Sequence, residues 1–419
     1  MNVILNIFRR PELRTKVLLI LGLMAIAQFT HNIPIPAIDT THLRDFLASN
    51  QLFGLVSTFT GGSLSTLSVA MLGLGPYITA SIIMQVLTMI FPALEQMYKY
   101  EGEAGRRRFN QYSRLLTVPL AAMQGYAFLT LLSRQNVIAP LGLAQMAGTL
   151  AIVTAGAVFL MWIGEIISER NLGNGASLLI LAGIVAGFPR SIQQAIFTYT
   201  PDQLFTYIAF VAVALVVIMG VIYISEAQRN IPVNYARRVR GMKQYGGVST
   251  YLPMRVNNAG VIPIIFALSI LLFPSMIANF FASSGIAIIA RVASAISGFL
   301  QNPVWYATLY FLFVVVFTYF YTAITFDPKS ISENIQKQGG YVPGIRPGPN
   351  TAMFLNHLLN RVTLVGALFL GLIAILPSIV QGATGISAFT VGGTSILIVV
   401  AVALESMKQV QAQLSLYEY

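Results

Sequence analysis

The chain has 419 residues, of which 56% are hydrophobic and only 9% are charged, and it carries a net charge of +11. Its mean hydropathy of +0.73 excludes a soluble domain of this length, which would need far more charge, and predicts a polytopic helical membrane protein. Cysteine is absent, which excludes disulfides and thiolate metal sites.

The N-terminal segment carries four basic residues ahead of the first apolar run: Arg9, Arg10, Arg14 and Lys16. That run is long enough to span a bilayer, and no cleavage pattern typical of a secretory signal peptide follows it. We therefore expect the first span to remain in the protein as an anchor.

Ten apolar runs have about the 20 residues that a membrane-spanning helix needs. They lie at 17–36, 70–92, 115–133, 145–165, 175–192, 204–225, 257–281, 304–326, 362–379 and 389–405. The predicted fold class is an all-α polytopic membrane protein with ten transmembrane helices. Five spans fall in an N-terminal half, 1–192, and five in a C-terminal half, 204–419. The external link 193–203 joins the halves, whose odd number of spans permits an inverted repeat.

The basic residues set the predicted orientation. With the N-terminus inside, only four of the 25 Lys and Arg residues fall outside: Arg44, Arg134, Arg190 and Arg291. Cytosolic loops of membrane proteins carry the excess of Lys and Arg, so both termini are predicted to be cytosolic.

The segment 52–67 fits none of the predicted spans. It reads LFGLVSTFTGGSLSTL, which is uncharged and too short to cross a bilayer. Irregular backbone at membrane depth is tolerated where it is buried in protein or lines a cavity, so a re-entrant element is favoured. An ordinary external loop remains the alternative.

A first cytosolic loop, 226–256, holds six basic residues and no acidic residue between the first and the last of them. They are Arg229, Arg237, Arg238, Arg240, Lys243 and Arg255. Such a loop in a membrane protein is often only a topology signal or an anionic-lipid contact. The Gly246–Gly247 pair, with Pro232 and Pro253, instead favours a shaped hairpin that docks ribosomal RNA or an acidic motor protein.

A second cytosolic loop, 327–361, contains the run GGYVPGIRPGPN around Arg346. Glycine and proline at this density specify a turn-rich backbone, which would present one arginine in a fixed place. A tight turn with Arg346 simply solvated is the alternative.

No ionisable residue lies deep in a predicted span, since Glu165, Glu226 and Glu405 fall at cytosolic ends. Ion-coupled transporters usually carry such groups within the membrane, so this class is disfavoured. The three histidines are isolated in sequence: His31, His42 and His357. There is no catalytic or metal-ligand spacing and no phosphate-binding GxxxxGK[ST]. We expect no enzymatic activity, metal or cofactor, and an energy source in a partner.

Both cytosolic loops closely resemble those of the SecY family, the channel-forming subunits of the bacterial Sec protein translocon. The runs GRRRFNQYSR, GNGASLLILAGIVAGFP and GGTSILIVVAVALESMKQVQ also resemble family signatures and follow in family order. The resemblance implies the central protein-conducting channel of the general secretory pathway in the cytoplasmic membrane. Such a channel passes unfolded preproteins and releases hydrophobic segments laterally into lipid.

The resemblance also implies site residues. An aliphatic pore ring would comprise Leu74, Ile78, Ile180, Ile184, Ile265 and Ile398. Leu74 stands where isoleucine is more usual in the family, a mild change that should preserve the seal. A plug over 54–66 would include Gly54, Leu55, Val56, Ser57, Phe59, Gly61, Gly62 and Leu64. Ordinary helix packing or lipid contact is the alternative for each ring residue.

The partners implied are SecE-like and SecG-like small subunits, the SecA ATPase, the ribosome, preprotein signal sequences and anionic lipids, with no direct DNA binding. SecA or the ribosome would dock on Arg237, Arg238, Arg240, Lys243, Arg255 and Arg346. A lateral gate is expected between the second and third spans and the seventh and eighth. A secondary transporter of a small solute, or a lipid flippase or insertase, remains an alternative.

Overall fold

The computed structural model describes residues 10–36, 64, 66–135, 137–197, 201, 204–235, 238–240, 243–245, 249–282, 287–384 and 388–416. The helices of the predicted N-terminal half are α1 Pro11–Thr30, α2 Gly75–Ile90, α3 Pro92–Lys99, α4 Gly102–Arg134, α5 Leu143–Ser168 and α6 Gly175–Phe197. Those of the C-terminal half are α7 Leu204–Glu226, α8 Ile262–Ala282, α9 Ala287–Gln301, α10 Pro303–Thr325, α11 Pro328–Lys337, α12 Pro349–Thr384 and α13 Ala388–Leu416. The strands are β1 Gln228–Tyr235, β2 Arg238–Arg240, β3 Lys243–Tyr245, β4 Ser249–Arg255 and β5 Gly340–Tyr341.

Each of the ten predicted spans falls on a helix. By length and composition, six helical segments of the described chain can cross a membrane, and α2 with α3 would make a seventh despite a bend of 110° between them. The apolar parts of α6 and α8, Gly175–Pro189 and Ile262–Leu271, are shorter. The all-α membrane architecture is thus present, and the count of ten spans stays a prediction.

Proline and short polar side chains define where several helices begin. Pro92 starts α3, and Phe91 before it is extended because the proline ring disfavours a helical conformation there, which produces the bend after α2. The side chain of Asn302 accepts a hydrogen bond from the Val304 amide at the start of α10. Asp327 does the same for Lys329 at the start of α11.

Two glycines let backbones approach each other closely. A β-carbon on Gly156 of α5 would collide with the carbonyl oxygen of Val69, and one on Gly175 of α6 with that of Gly164. Membrane helices use small residues for such close packing because lipid offers no hydrophobic force that drives helices together.

The two predicted cytosolic loops form one structural unit. β1 pairs antiparallel with β4 from Gln228↔Arg255 to Asn234↔Ser249, and β5 from the second loop joins the other edge of β1. A separate hydrophobic cluster lies beneath this sheet and includes Ile231, Val233, Met254, Ile335 and Leu358. We call the sheet, α11 and the first turns of α12 the cytosolic module. The 36-residue α12 runs from this module into its predicted span.

Candidate functional site

The six predicted pore-ring residues are all buried and all belong to one hydrophobic cluster. Leu74 directly precedes α2 and Ile78 lies one turn into it, while Ile180 and Ile184 are one turn apart on α6. Ile265 comes from the start of α8 and Ile398 from α13. The structure therefore brings together residues that are distant in sequence and lie on, or directly before, four helices.

Contacts between the halves run through these same helices. α2 contacts α8, and α6 contacts α13. Aliphatic side chains offer no hydrogen bonds or charge, so a packed ring of them can exclude water and ions and can deform around a passing chain. Ordinary helix packing would show the same burial, and the pore role of each residue stays a prediction.

The helices expected on the two sides of the predicted lateral gate pack against each other. α8 contacts both α2 and α4, the helices on the other side of the expected opening. Phe266 of α8 makes edge-to-face ring contacts with Phe317 (5.9 Å) and Tyr321 (6.2 Å) of α10. These aromatic contacts stabilise α8 and α10 as a pair, so the two C-terminal gate helices are coupled.

An irregular segment, 66–74, leads into α2. The Ile35 amide donates a hydrogen bond to the Leu67 carbonyl (3.0 Å), and the Val69 amide donates to the Ile33 carbonyl (2.9 Å). Leu67 has a positive φ of 42° and is buried. These two hydrogen bonds tie the non-helical segment to the chain that follows α1, as a re-entrant element buried in protein would require.

The predicted second span, 70–92, is helical only from Gly75, where α2 begins. Gly73 adopts a left-handed conformation, with a φ of 56°, that ends the preceding turns. Pro76 then fixes a helical φ in the first turn of α2. The helix therefore starts beside the first pore-ring residue.

Most of the predicted plug lies outside the described residues: Gly54, Leu55, Val56, Ser57, Phe59, Gly61 and Gly62. Leu64 is described, and it is buried in a second hydrophobic cluster with Leu67, Met71 and Phe128. The C-terminal end of the predicted plug region is thus fixed against the N-terminal half.

Predicted docking residues lie on the cytosolic module and on the hairpin that extends from it. Arg255 ends β4 and Arg346 lies in the loop before α12, and both are exposed. β2 and β3 pair antiparallel with Arg238 opposite Tyr245 and Arg240 opposite Lys243. Arg237 lies outside the described residues.

The main chain of the loop that carries Arg346 has a defined conformation. Gly339, Gly344 and Gly348 have positive φ values of 73°, 80° and 100°. The Thr351 hydroxyl donates to the Arg346 carbonyl (3.1 Å), and the Ser332 hydroxyl donates to the Gly348 carbonyl (2.7 Å). These contacts hold the arginine's main chain in place, as the glycine and proline pattern predicts.

Two of the carboxylates at predicted cytosolic ends form ion pairs between helices. Glu165 of α5 pairs with Arg114 of α4. Glu226 of α7 pairs with Lys408 of α13 at 2.9 Å, and the same ammonium donates to the Ser225 carbonyl at 3.0 Å. Within the part of the chain that the structure describes, no three His, Cys, Asp or Glu side chains cluster to hold a metal ion. Glu165 and Glu226 therefore each join two helices through an ion pair.

Comparison with known proteins decides the family. The SecY family profile matches residues 68–407. A protein translocase subunit SecY from Thermotoga maritima is 42% identical over 99% of this chain and 96% of its own length. One from Streptomyces scabiei is 40% identical over 98% of this chain and 97% of its own length. The chain belongs to the SecY family.

Solved structures support the same fold. "The structure of a protein conducting channel" superposes with a TM-score of 0.63 at 17% identity, covering 95% of this chain and 92% of the other. A Sec61 channel in a canine ribosome-channel complex superposes with a TM-score of 0.61 at 18% identity, covering the same shares. The predicted family and helical membrane fold are therefore confirmed, and SecY membership agrees with a channel subunit that is not an enzyme.

Two features of this SecY-family chain were missed by sequence reasoning. The joining of the two cytosolic loops through β1 and β5 was not predicted, although Ile231, Val233 and Tyr235 alternate as half-buried strand residues do. The helix α9 was also not predicted. Its apolar residues recur at helical spacing, but the segment was treated only as a connection between spans.

Proposed function

We propose that this chain is the protein-conducting subunit of a Sec translocon in the cytoplasmic membrane. It passes unfolded preproteins outward and releases hydrophobic segments sideways into lipid. The observation that carries this proposal is the near full-length similarity to protein translocase subunits. The burial of aliphatic residues from both halves in one cluster is consistent with it.

The pore ring of Leu74, Ile78, Ile180, Ile184, Ile265 and Ile398 forms the seal in this proposal. When packed, it excludes water and ions, and when displaced it fits around an extended chain of any sequence. The plug over 54–66 closes the outer side in the idle state. A hydrophobic signal sequence leaves between α2 and α4 on one side and α8 and α10 on the other, because burying apolar surface in lipid is favourable.

Docking takes place on the cytosolic side. Arg237, Arg238, Arg240, Lys243, Arg255 and Arg346 contact the SecA motor or the ribosome, since arginine binds carboxylates and phosphates with two hydrogen bonds at once. The solved canine relative belongs to a ribosome-channel complex, which supports the ribosome as a partner. SecE-like and SecG-like subunits complete the channel, anionic lipids surround it, and both termini face the cytosol.

Charge reversal at Arg346 tests the docking assignment. In membrane vesicles that contain Arg346→Glu, we expect the rate of SecA-driven preprotein export to fall several-fold while the amount of folded channel is unchanged. Lys329→Glu is the matched control, because Lys329 is an exposed cation of the same cytosolic region at the start of α11, where a negative charge is tolerated. Unchanged export by well-expressed Arg346→Glu would remove this residue from the docking surface.

Deletion of 54–66 separates a plugged channel from a small-solute transporter. We expect the shortened protein to conduct ions in a planar bilayer where the full chain does not. A deletion variant that folds and stays tight to ions would contradict the plug and return the solute transporter as the better function.

A further inference from the structure

The helix α9 joins the two C-terminal gate helices and packs on both. It contacts α8 before it and α10 after it. Its buried residues Ala293, Ser297 and Leu300 recur at helical spacing and form one face. This face packs against the rest of the protein, and the remaining surface of α9 is exposed.

A second face of α9 is apolar and exposed. Ile288, Val292, Ile296 and Phe299 recur every three or four residues and are 77%, 56%, 44% and 41% exposed. Residues at this spacing lie on one side of a helix. An apolar stripe of this length exposed to water would be unfavourable, so it requires an apolar environment.

The third face of α9 carries polar or small residues. Arg291, Ser294 and Gly298 are exposed there, and the sequence of α9 contains no acidic residue. Arg291 follows the apolar stripe closely around the helix. A cation beside an apolar stripe is the arrangement that places a long side chain among lipid headgroups while the stripe enters the acyl region.

An aromatic pair marks the edge of the stripe. Phe299 stacks on Trp305 of α10 with ring centroids 5.0 Å apart, and Trp305 is itself half-exposed. Tryptophan is enriched where the headgroups meet the hydrocarbon. Val304, Leu312 and Val316 of α10 are also exposed apolar residues, so an apolar surface continues along the adjacent helix.

We propose that α9 lies flat in the outer membrane interface and binds lipid through Ile288, Val292, Ile296 and Phe299, with Arg291 at headgroup phosphates. The inference rests on the proposed topology, which places α9 outside. Because α9 is connected to and packed against α8 and α10, it anchors the C-terminal side of the lateral gate to the outer leaflet.

The absence of cysteine from the sequence permits a site-specific test in the full chain with its partner subunits. Ile296→Cys and Val292→Cys are each labelled with a polarity-sensitive fluorophore, and the protein is reconstituted into phosphatidylcholine–phosphatidylglycerol vesicles. Quenchers are attached to the lipid at headgroup depth and at acyl depth. Ser294→Cys, on the polar face of the same helix, is the matched control.

We expect several-fold stronger quenching by lipid-attached groups at Val292→Cys and Ile296→Cys than at Ser294→Cys. Equal quenching at the three positions, or shielding of Ile296→Cys by a partner chain, would overturn lipid binding by this face. Labelling with a membrane-impermeant maleimide tests separately whether α9 lies on the outer side, so that a wrong topology can be told apart from a lack of lipid binding. Labelling of Ser294→Cys from the outer side supports the topology, whereas labelling only from the cytosolic side overturns both the topology and the inference.

Discussion

The hydrophobic cluster that contains the six predicted pore-ring residues, called here the pore-ring cluster, achieves order in a different way from the cytosolic module. In the pore-ring cluster, apolar side chains from helices of both predicted halves pack together, and most of them are aliphatic. In the cytosolic module, strand pairing, three left-handed glycines and side-chain hydrogen bonds fix the main chain. A cluster held by apolar contacts can open around many substrates, whereas a loop with a fixed main chain can recognise one partner surface. We therefore expect mutations in the first region to alter the seal and mutations in the second to alter docking.

The largest expected effect is that of Ile398→Ala. Ile398 is fully buried in the pore-ring cluster, and truncating such a residue costs about 2–5 kcal/mol in the free energy of unfolding. We also expect measurable ion leak in planar bilayers, because the packed ring loses three carbon atoms.

Ile379→Ala makes the same chemical change at an exposed position of α12 and should leave the leak unchanged. An intact seal in folded Ile398→Ala would contradict the separation of roles, since a buried ring residue would then be dispensable for sealing.

The second effect concerns the close approach of α5 to the irregular segment before α2. Gly156→Ala places a methyl group against the Val69 carbonyl, and overpacking of this kind costs about 1–3 kcal/mol. Gly148→Ala lies in the same helix with no atom within 4 Å of the added carbon. It should be neutral or stabilising by about 0.5–1 kcal/mol because alanine favours helices. Thermal unfolding of both variants in detergent compares them, and equal stability would show that the backbones can separate freely.

The third effect falls in the cytosolic module. Gly348→Ala places a β-carbon at a φ of 100°, a conformation that costs an ordinary residue about 1–2 kcal/mol. We expect weaker SecA or ribosome binding, measured by cosedimentation with the purified channel, and no ion leak.

Gly344→Asn is the control for this position, because asparagine tolerates a left-handed conformation and nothing lies within 4 Å of its β-carbon. If Gly348→Ala leaked ions but still bound its partners normally, the cytosolic module would affect the seal and not docking, which is the opposite of what we expect.

The smallest effect is that of Ser332→Ala, which removes the hydrogen bond to the Gly348 carbonyl. We expect a loss of about 0.5–1.5 kcal/mol because the buried carbonyl loses its hydroxyl partner. Ser330→Ala, at an exposed position of the same α11, should change nothing. Hydrogen exchange of the amides in 339–351 measures the local stability, and equal protection in both variants would show that the contact does not hold the loop.

The membrane helices could be predicted from the sequence because apolar runs of spanning length are a strong signal. Their ends were less predictable: the start of α2 at Gly75 depends on a left-handed Gly73 and on hydrogen bonds from residues near Ile33. The sheet in the cytosolic module was missed because Asn234 and Tyr341 are far apart in sequence and only the fold pairs them. The pore-ring residues came from family resemblance, since leucine and isoleucine at helical spacing are equally typical of ordinary packing.

The continuous helix α12 has a mechanical consequence. At 36 residues it is about 54 Å long, whereas a bilayer hydrocarbon core measures about 30 Å, so a rigid rod extends well beyond the membrane. Leu355 and Leu358 fasten its cytosolic end to the sheet, and Pro377, its internal proline, lies near the opposite end. We therefore expect a partner that tilts the sheet to move the helix as one body up to Pro377. Pro377 has no amide hydrogen to bond to the preceding turn, so we expect the helix to bend there.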